Sequence, residues 1–155
     1  MGEHIVNILM GTSSNQDIVT PSGGSERQFL GYANALAERG HTVHVVNLLK
    51  SSPDWSIGFD LCHIVNAGGL KGCLILTAQL CRAKGIPVIM SPVYWPIDEV
   101  QKEIVDMLGE DSEQIAKNFG VHVKGSRDMF READWLVPNA EIEMQKVAEL
   151  LKGEM

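Results

Sequence analysis

Short apolar runs alternate with stretches of helical periodicity along most of this chain, and this alternation limits the folds open to it. The first run, Ile5–Met10, is almost entirely apolar, which is typical of a strand covered on both faces. After it, apolar residues recur at helical spacing, namely at Phe29, Leu30, Ala33, Leu36 and Ala37. Strands that alternate with helices in this way form βαβ units, whose strands lie parallel in one sheet.

We therefore expect an α/β fold, a Rossmann-like parallel sheet in three layers with helices on both faces. One domain should span residues 1–155, a length that suits a single core. The predicted strands are 5–10, 42–48, 59–65, 87–90 and 135–137. The predicted helices run from the Gly23-Gly24 junction to Arg39, over 70–84 and 98–108, in shorter pieces near 111–118 and 126–131, and in a last helix that Asn139 caps.

A long polar loop separates the first strand from the first helix and ends in two glycines. Long loops in compact domains tend to be functional, and a helix N-terminus behind paired glycines suits an anion such as phosphate. Ordinary turn chemistry explains the same spacing. Ser25 and Gln28 have capping-box spacing. The candidate loop residues, for a donor phosphate or for an acceptor, are Ser22, Gly23, Gly24, Ser25 and Glu26.

Composition excludes several classes of partner. The net charge is −7 and the 13 Lys and Arg residues are scattered, so no basic surface is available for nucleic acid or anionic lipid. The three cysteines, Cys62, Cys73 and Cys81, lack C-x-x-C spacing and lie in apolar segments. They are expected to be reduced thiols of a cytoplasmic protein. No secretion signal and no run long enough to span a bilayer is present in these residues.

Four segments, taken together and in order, resemble a known family. They are Gly23–Glu26 with the run 35–46 (ALAERGHTVHVV), Asp60–His63, Lys84–Ile89, and Ala133–Val137 with Asn139. The chain resembles the N-terminal half of a GT-B-type retaining glycosyltransferase, from the sugar-nucleotide-dependent group numbered family four. The four segments are similar to that group's GGxE…LAxRGHxVxVV, D-h-h-H, xGIPVV and AD-h-h-h-x-S patterns, where h is apolar.

This resemblance implies an acceptor-side domain. The full enzyme would transfer a hexose with retention from a nucleotide diphosphate sugar to a sugar-type acceptor. A second Rossmann-like domain, absent from this sequence and present in cis or trans, would bind the donor. No catalytic residue, metal or cofactor is assigned to this chain, because such a transfer can use the donor phosphate as base. The residues expected to line the acceptor side are His63, Asn66, Tyr94, Trp95 and Asn139.

The chain also departs from the family pattern. The third strand of the group commonly ends H-x-H, but here Val65 stands at the place of the second His and is followed by Asn66, and no His follows the fourth strand. The donor motif E-x7-E occurs only as Glu141 and Glu149 on the predicted last helix, which we interpret as coincidence. Structural roles therefore remain open for both site candidates. His63 is equally consistent with a core histidine held by a hydrogen bond, and Asn66 with a turn residue. Tyr94 and Trp95 either stack on a sugar or cover the sheet.

Two other functions compete with the glycosyltransferase. The first is a stand-alone, non-catalytic Rossmann-like binding or interaction module, which the missing second His favours. The second is a flavodoxin-like domain, which would need an acidic cluster after the first strand where Met10-Gly11-Thr12 stands. His41 and His44 point to opposite faces of a strand, which argues against a shared metal. The chain has no G-x-G-x-x-G after the first strand, so a nicotinamide site is not expected.

Overall fold

The computed structural model describes residues 4–14, 18, 24–65, 72–92 and 124–152. The strands in this part of the chain are β1 (Asn7–Thr12), β2 (Thr42–Asn47), β3 (Leu61–Val65), β4 (Val88–Ser91) and β5 (Trp135–Leu136). The helices are α1 (Gly24–Glu38), α2 (Gly72–Ala83), α3 (124–130) and α4 (Glu141–Lys152). The predicted helices over 98–108 and 111–118 lie outside the described residues.

All five strands form one sheet in the order β2-β1-β3-β4-β5, and every neighbouring pair is parallel. The predicted α/β, Rossmann-like three-layer class is confirmed. The chain winds outwards from β1 to β2, then returns to the other side of β1 and continues through β3, β4 and β5. This is a doubly wound order, shared with flavodoxin-like domains, and its switch point lies between β1 and β3. Thr12, Ser13 and Ser14 follow the apolar part of β1 there.

The alternation of side chains along the strands divides the core between two faces. On one face, Phe29 and Ala33 of α1 pack in a cluster that contains Ile8, Met10 and Val65. On the other face, helices α2, α3 and α4 cover the sheet through Leu74, Ala78, Cys81, Met129, Phe130, Val147 and Leu150. Phe29 is completely buried, and truncating such a side chain to alanine costs about 3–5 kcal/mol.

Two aspartates close the amino edge of the sheet in the same way. Asp60 immediately precedes β3, and its carboxylate accepts the Asn7 backbone N–H at 2.7 Å, at the start of β1. Asp134 immediately precedes β5, and its carboxylate accepts the Val88 backbone N–H at 2.8 Å, at the start of β4. Each satisfies the first donor of a neighbouring strand, which would otherwise lack a ladder partner. These aspartates, which contributed to the family resemblance, therefore have structural roles.

Two glycines end helices for a similar structural reason. Gly40 and Gly85 have φ angles of 87° and 72°, in the left-handed region that other residues rarely occupy. In both turns the residue after the glycine donates to the C3 carbonyl: His41 to Leu36 at 3.2 Å and Ile86 to Cys81 at 2.9 Å. These are Schellman motifs, and each glycine ends its helix.

One predicted helix cap is wrong. The Ala140 carbonyl accepts the Met144 N–H, so Ala140 rather than Asn139 occupies the cap position of α4. The Asn139 side chain instead contacts α1 and the Pro92 carbonyl. For Asn139 a tertiary contact therefore replaces the local hydrogen bond that the spacing suggested. The Gln28 side chain contacts Tyr32 and Asn139. The capping box predicted for Ser25 and Gln28 stays a prediction, because the Ser25 side chain lies outside the described residues.

Candidate functional site

The carboxyl edge of the sheet is the place where doubly wound folds bind ligands. At this edge β1 ends at Thr12, β2 at Asn47 and β4 at Ser91. Helix α1 begins at the same edge, because it follows β1 and runs back antiparallel to it. Polar residues of these elements form two connected groups of side chains in the described part of the chain.

The first group, which we term the Glu26 cluster, consists of Ser14, Glu26 and Asn47. The Ser14 hydroxyl donates to Glu26 Oε1 at 2.6 Å, and all three residues are buried. Asn47 Nδ2 donates to the Ser14 carbonyl at 2.7 Å, while its Oδ1 accepts the Leu49 N–H at 3.2 Å. The segment after β1 is therefore tied both to the end of β2 and to the first turn of α1.

The position of Glu26 affects the electrostatics of the helix end. It lies in the first turn of α1, where the unpaired N–H groups and the helix dipole favour negative charge. A carboxylate at that position already compensates the partial positive charge. An additional anion at the start of α1 would experience repulsion from Glu26, whereas a hydroxyl group would not.

The second group, which we term the Tyr32 cluster, consists of Gln28, Tyr32, His63, Ser91 and Asn139. The Tyr32 ring stacks on the His63 imidazole, with ring centroids 5.7 Å apart and planes inclined by 29°. His63 Nε2 forms a hydrogen bond with Ser91 Oγ at 2.9 Å. This contact joins the face of β3 that meets α1 to the end of β4, and Ser91 is completely buried.

Asn139 completes the Tyr32 cluster from the segment between β5 and α4. The Tyr32 hydroxyl donates to Asn139 Oδ1 at 3.3 Å, and Gln28 Nε2 donates to the Tyr32 hydroxyl at 2.8 Å and also contacts Asn139 Oδ1. Asn139 Nδ2 donates to the Pro92 carbonyl at 3.2 Å. One exposed amide side chain therefore connects α1, the end of β4 and the start of α4.

The Tyr32 cluster carries no formal charge near neutral pH. Burial lowers the pKa of His63 from 6.5 to about 4, because the desolvated imidazolium is disfavoured. Tyrosine, serine and the two amides are neutral as well. The cluster therefore presents hydroxyl, amide and imidazole groups that donate and accept hydrogen bonds, and a stacked aromatic pair beside them.

The sequence-predicted site residues have three different outcomes. His63 and Asn139 are brought into one cluster, through Tyr32. Glu26 and Gly24 lie at the start of α1, and a Cβ added to Gly24 would meet no atom of the described residues within 4 Å. Outside the described residues lie Ser22, Gly23, the Ser25 side chain, Asn66, Tyr94 and Trp95.

Sequence reasoning missed Gln28, Tyr32, Ser91, Ser14 and Asn47. A usable signal existed for two of them, because Asn47 and Ser91 are polar residues at the carboxyl ends of predicted apolar strands, the same property that selected Asn66. Gln28 and Tyr32 had no such signal. Their separation of four residues places both on one side of α1, but only the packing of α1 on β3 shows that this side meets His63.

Two hydroxyl groups bond to a possible base, Ser91 to His63 and Ser14 to Glu26, but both serines are buried, so neither is exposed as a nucleophile. Within the described ranges, no three His, Cys, Asp or Glu residues come together as metal ligands. The described helices also include none that is long and apolar enough to cross a bilayer. The three cysteines are free thiols.

Comparisons with family models, with curated proteins and with solved structures find no match to this chain.

Proposed function

We propose that this chain is the acceptor-side domain of a nucleotide-sugar-dependent glycosyltransferase and that the carboxyl edge of its sheet binds a sugar-type acceptor. The observation that carries this proposal is the neutral Tyr32 cluster. Sugar hydroxyls pair with amide, hydroxyl and imidazole groups of the kind found there, and the hydrophobic face of a sugar ring suits a nearby aromatic side chain. The resemblance in sequence supplies the reaction class.

The Glu26 cluster supports the acceptor half of the reaction for this edge. The loop before α1 was a candidate for either the donor phosphate or the acceptor. A buried carboxylate in the first turn of α1 disfavours a diphosphate and favours hydroxyl groups, which can donate to carboxylate oxygens. The acceptor therefore occupies this edge in our proposal, and the donor diphosphate binds to a second domain in cis or in trans.

No proton-transfer residue is assigned in this chain. His63 is neutral at pH 7 and is held by Ser91 and Tyr32, so its role is to hold and orient a ligand hydroxyl. Asn139, which contacts the Tyr32 hydroxyl, has the same role in our proposal. The chain alone should bind acceptor weakly and should not release nucleotide from a nucleotide sugar.

The proposal is tested by titrating the chain with neutral mono- and disaccharides, nucleoside diphosphates and nucleotide diphosphate sugars. Binding is followed by NMR through the ring resonances of Tyr32 and His63. Neutral saccharides should shift these resonances, and nucleoside diphosphates should not. Asn139→Ala should weaken saccharide binding at least about tenfold, since one lost well-placed polar contact is worth about 1.4 kcal/mol.

Asn34 provides a matched control, because it is an exposed asparagine on α1 outside both clusters. Asn34→Ala should leave saccharide binding unchanged. Three results would contradict the proposal: tight nucleoside diphosphate binding, no saccharide-induced shift at Tyr32 or His63, or nucleotide release catalysed by this chain alone. Neutral saccharide binding unaffected by Asn139→Ala would also place the acceptor elsewhere.

A further inference from the structure

The amino edge of β4 and β5, at the other end of the sheet from the Tyr32 cluster, contains an open depression of about 480 Å³. Its volume falls within the range of small-molecule sites, roughly 300–1,000 Å³. Three segments contribute to it: the last turn of α2, the turn into β4 and the start of β5. The lining residues are Arg82, Gly85, Ile86, Pro87, Asp134 and Trp135.

Trp135 is the dominant apolar surface in this depression. It is 58% exposed, although it is the first residue of a strand whose next residue, Leu136, packs against the core. Because side chains alternate along a strand, burial of Leu136 directs the Trp135 indole to the other side of the sheet. A tryptophan this exposed leaves a large aromatic surface in water, and such residues are concentrated at binding surfaces.

The polar groups around Trp135 are held in place by hydrogen bonds to neighbouring residues. Arg82 Nη1 lies 3.1 Å from Glu132 Oε2 and 3.4 Å from the Arg131 carbonyl. Asp134 Oδ2 accepts the Val88 N–H. Arginine has five N–H donors on three nitrogens, and both of these contacts use the same one. The guanidinium, which is half exposed, therefore keeps donor capacity towards the depression.

Charge at this depression argues against an anionic ligand. The charged residues that line it are Arg82 and Asp134, and the Arg82 guanidinium already pairs with Glu132 beside the depression. A phosphate or carboxylate would have to compete with Glu132 for Arg82 and would be repelled by Asp134. A neutral ligand with one apolar face and a rim of hydroxyl groups fits both the aromatic surface and the fixed donors and acceptors.

We propose that this depression binds a neutral oligosaccharide that passes around the amino edge of the sheet, with the C–H face of one pyranose stacked on the Trp135 indole and hydroxyl groups of the neighbouring units bound to Asp134 and Arg82. This binding is non-covalent and separate from the acceptor edge, and it does not depend on the proposed transferase reaction. It would hold an oligosaccharide or a glycan-bearing partner against the amino edge of the sheet.

The test follows the indole N–H resonance of Trp135 in ¹⁵N-labelled protein, assigned with Trp135→Phe, during titration with maltotriose, cellotriose and glucose 6-phosphate. At least one neutral trisaccharide should shift this resonance saturably, and glucose 6-phosphate should bind more weakly. Trp135→Ala should weaken trisaccharide binding at least about tenfold, whereas Trp135→Phe should retain part of the affinity because it keeps an aromatic face.

Leu76→Ala is the control, because Leu76 is 61% exposed on α2 and does not line the depression. This variant should bind the trisaccharides with the same affinity as the unmodified chain. The proposal is overturned if neither trisaccharide moves the Trp135 resonance, if glucose 6-phosphate binds more tightly than both, or if Trp135→Ala binds as well as the parent. Asn139→Ala separates the two sites: it should weaken saccharide binding followed at Tyr32 at least about tenfold and leave binding followed at Trp135 unchanged. Equal weakening at both would overturn the separate depression site.

Discussion

Replacing His63 by glutamine should remove an acid sensitivity from the stability of this domain. Burial lowers the pKa of His63 from 6.5 to about 4, and its contacts, Ser91 and Tyr32, are uncharged in this range. Between those two pH values the unfolded chain binds more protons at this position than the folded chain. The contribution of neutral His63 is therefore complete above pH 6.5 and is lost as the pH falls through the window to 4.

The size of the effect follows from the shift of the pKa. A difference of one pH unit corresponds to about 1.36 kcal/mol, so the full loss is about 3 kcal/mol and the loss between pH 7 and pH 5 is about 2 kcal/mol. Glutamine keeps a polar group for Ser91 but does not titrate. The other ionisable groups contribute equally to both proteins and cancel in the comparison.

The assay is equilibrium urea unfolding at pH 7 and pH 5 of the parent chain, His63→Gln and His4→Gln. His4 is exposed, so His4→Gln should lose as much stability on acidification as the parent. His63→Gln should lose about 2 kcal/mol less. Equal losses for the parent and His63→Gln would show that the imidazole is not desolvated in the folded state, and the assignment of a neutral Tyr32 cluster would be wrong.

Two further substitutions test the backbone and the Glu26 cluster. Gly85→Ala should destabilise the domain by about 1 kcal/mol because φ is 72° there. Gly31→Ala, inside α1 with nothing within 4 Å of a new Cβ, should be neutral or stabilising by up to about 1 kcal/mol. Thermal unfolding distinguishes the two variants, and equal effects would refute the strain at Gly85. Ser14→Ala should lower the free energy of unfolding by about 1–3 kcal/mol because it removes a donor from the buried Glu26 carboxylate. Ser52→Ala, at an exposed serine, should change the free energy of unfolding by less than about 0.5 kcal/mol. A loss at Ser14 no larger than at Ser52 would mean that the carboxylate does not depend on this bond.

The residues behind the family resemblance divide into structural and site positions. Asp60 and Asp134 satisfy strand donors, and Gly40 and Gly85 end helices. These four residues serve the fold of a doubly wound sheet, so the resemblance at their positions does not depend on the ligand. His63 and Asn139 differ, since their side chains meet in a polar cluster at the edge where such sheets bind ligands.

The local signals in the sequence determined the elements of this fold and their parallel order. Apolar runs such as Ile5–Met10 mark buried strands, and left-handed glycines mark helix ends, because each depends on the chemistry of a few neighbouring residues. The strand boundaries shifted by one or two residues, and β1 extends to Thr12. The prediction that Asn139 caps the last helix failed because its side chain contacts Gln28 and Tyr32, which are distant in the sequence, rather than a local backbone donor.

The sequence by itself determined that a parallel sheet would form, since the pattern of apolar residues and turn residues leaves few alternatives. Only the tertiary structure decided what lies at its two edges. Tyr32 meets His63 because α1 packs across β1 and β3, and Trp135 is exposed because burial of Leu136 directs it outward. Contacts between residues distant in the chain depend on how whole elements pack, and spacing along the chain does not encode that packing directly.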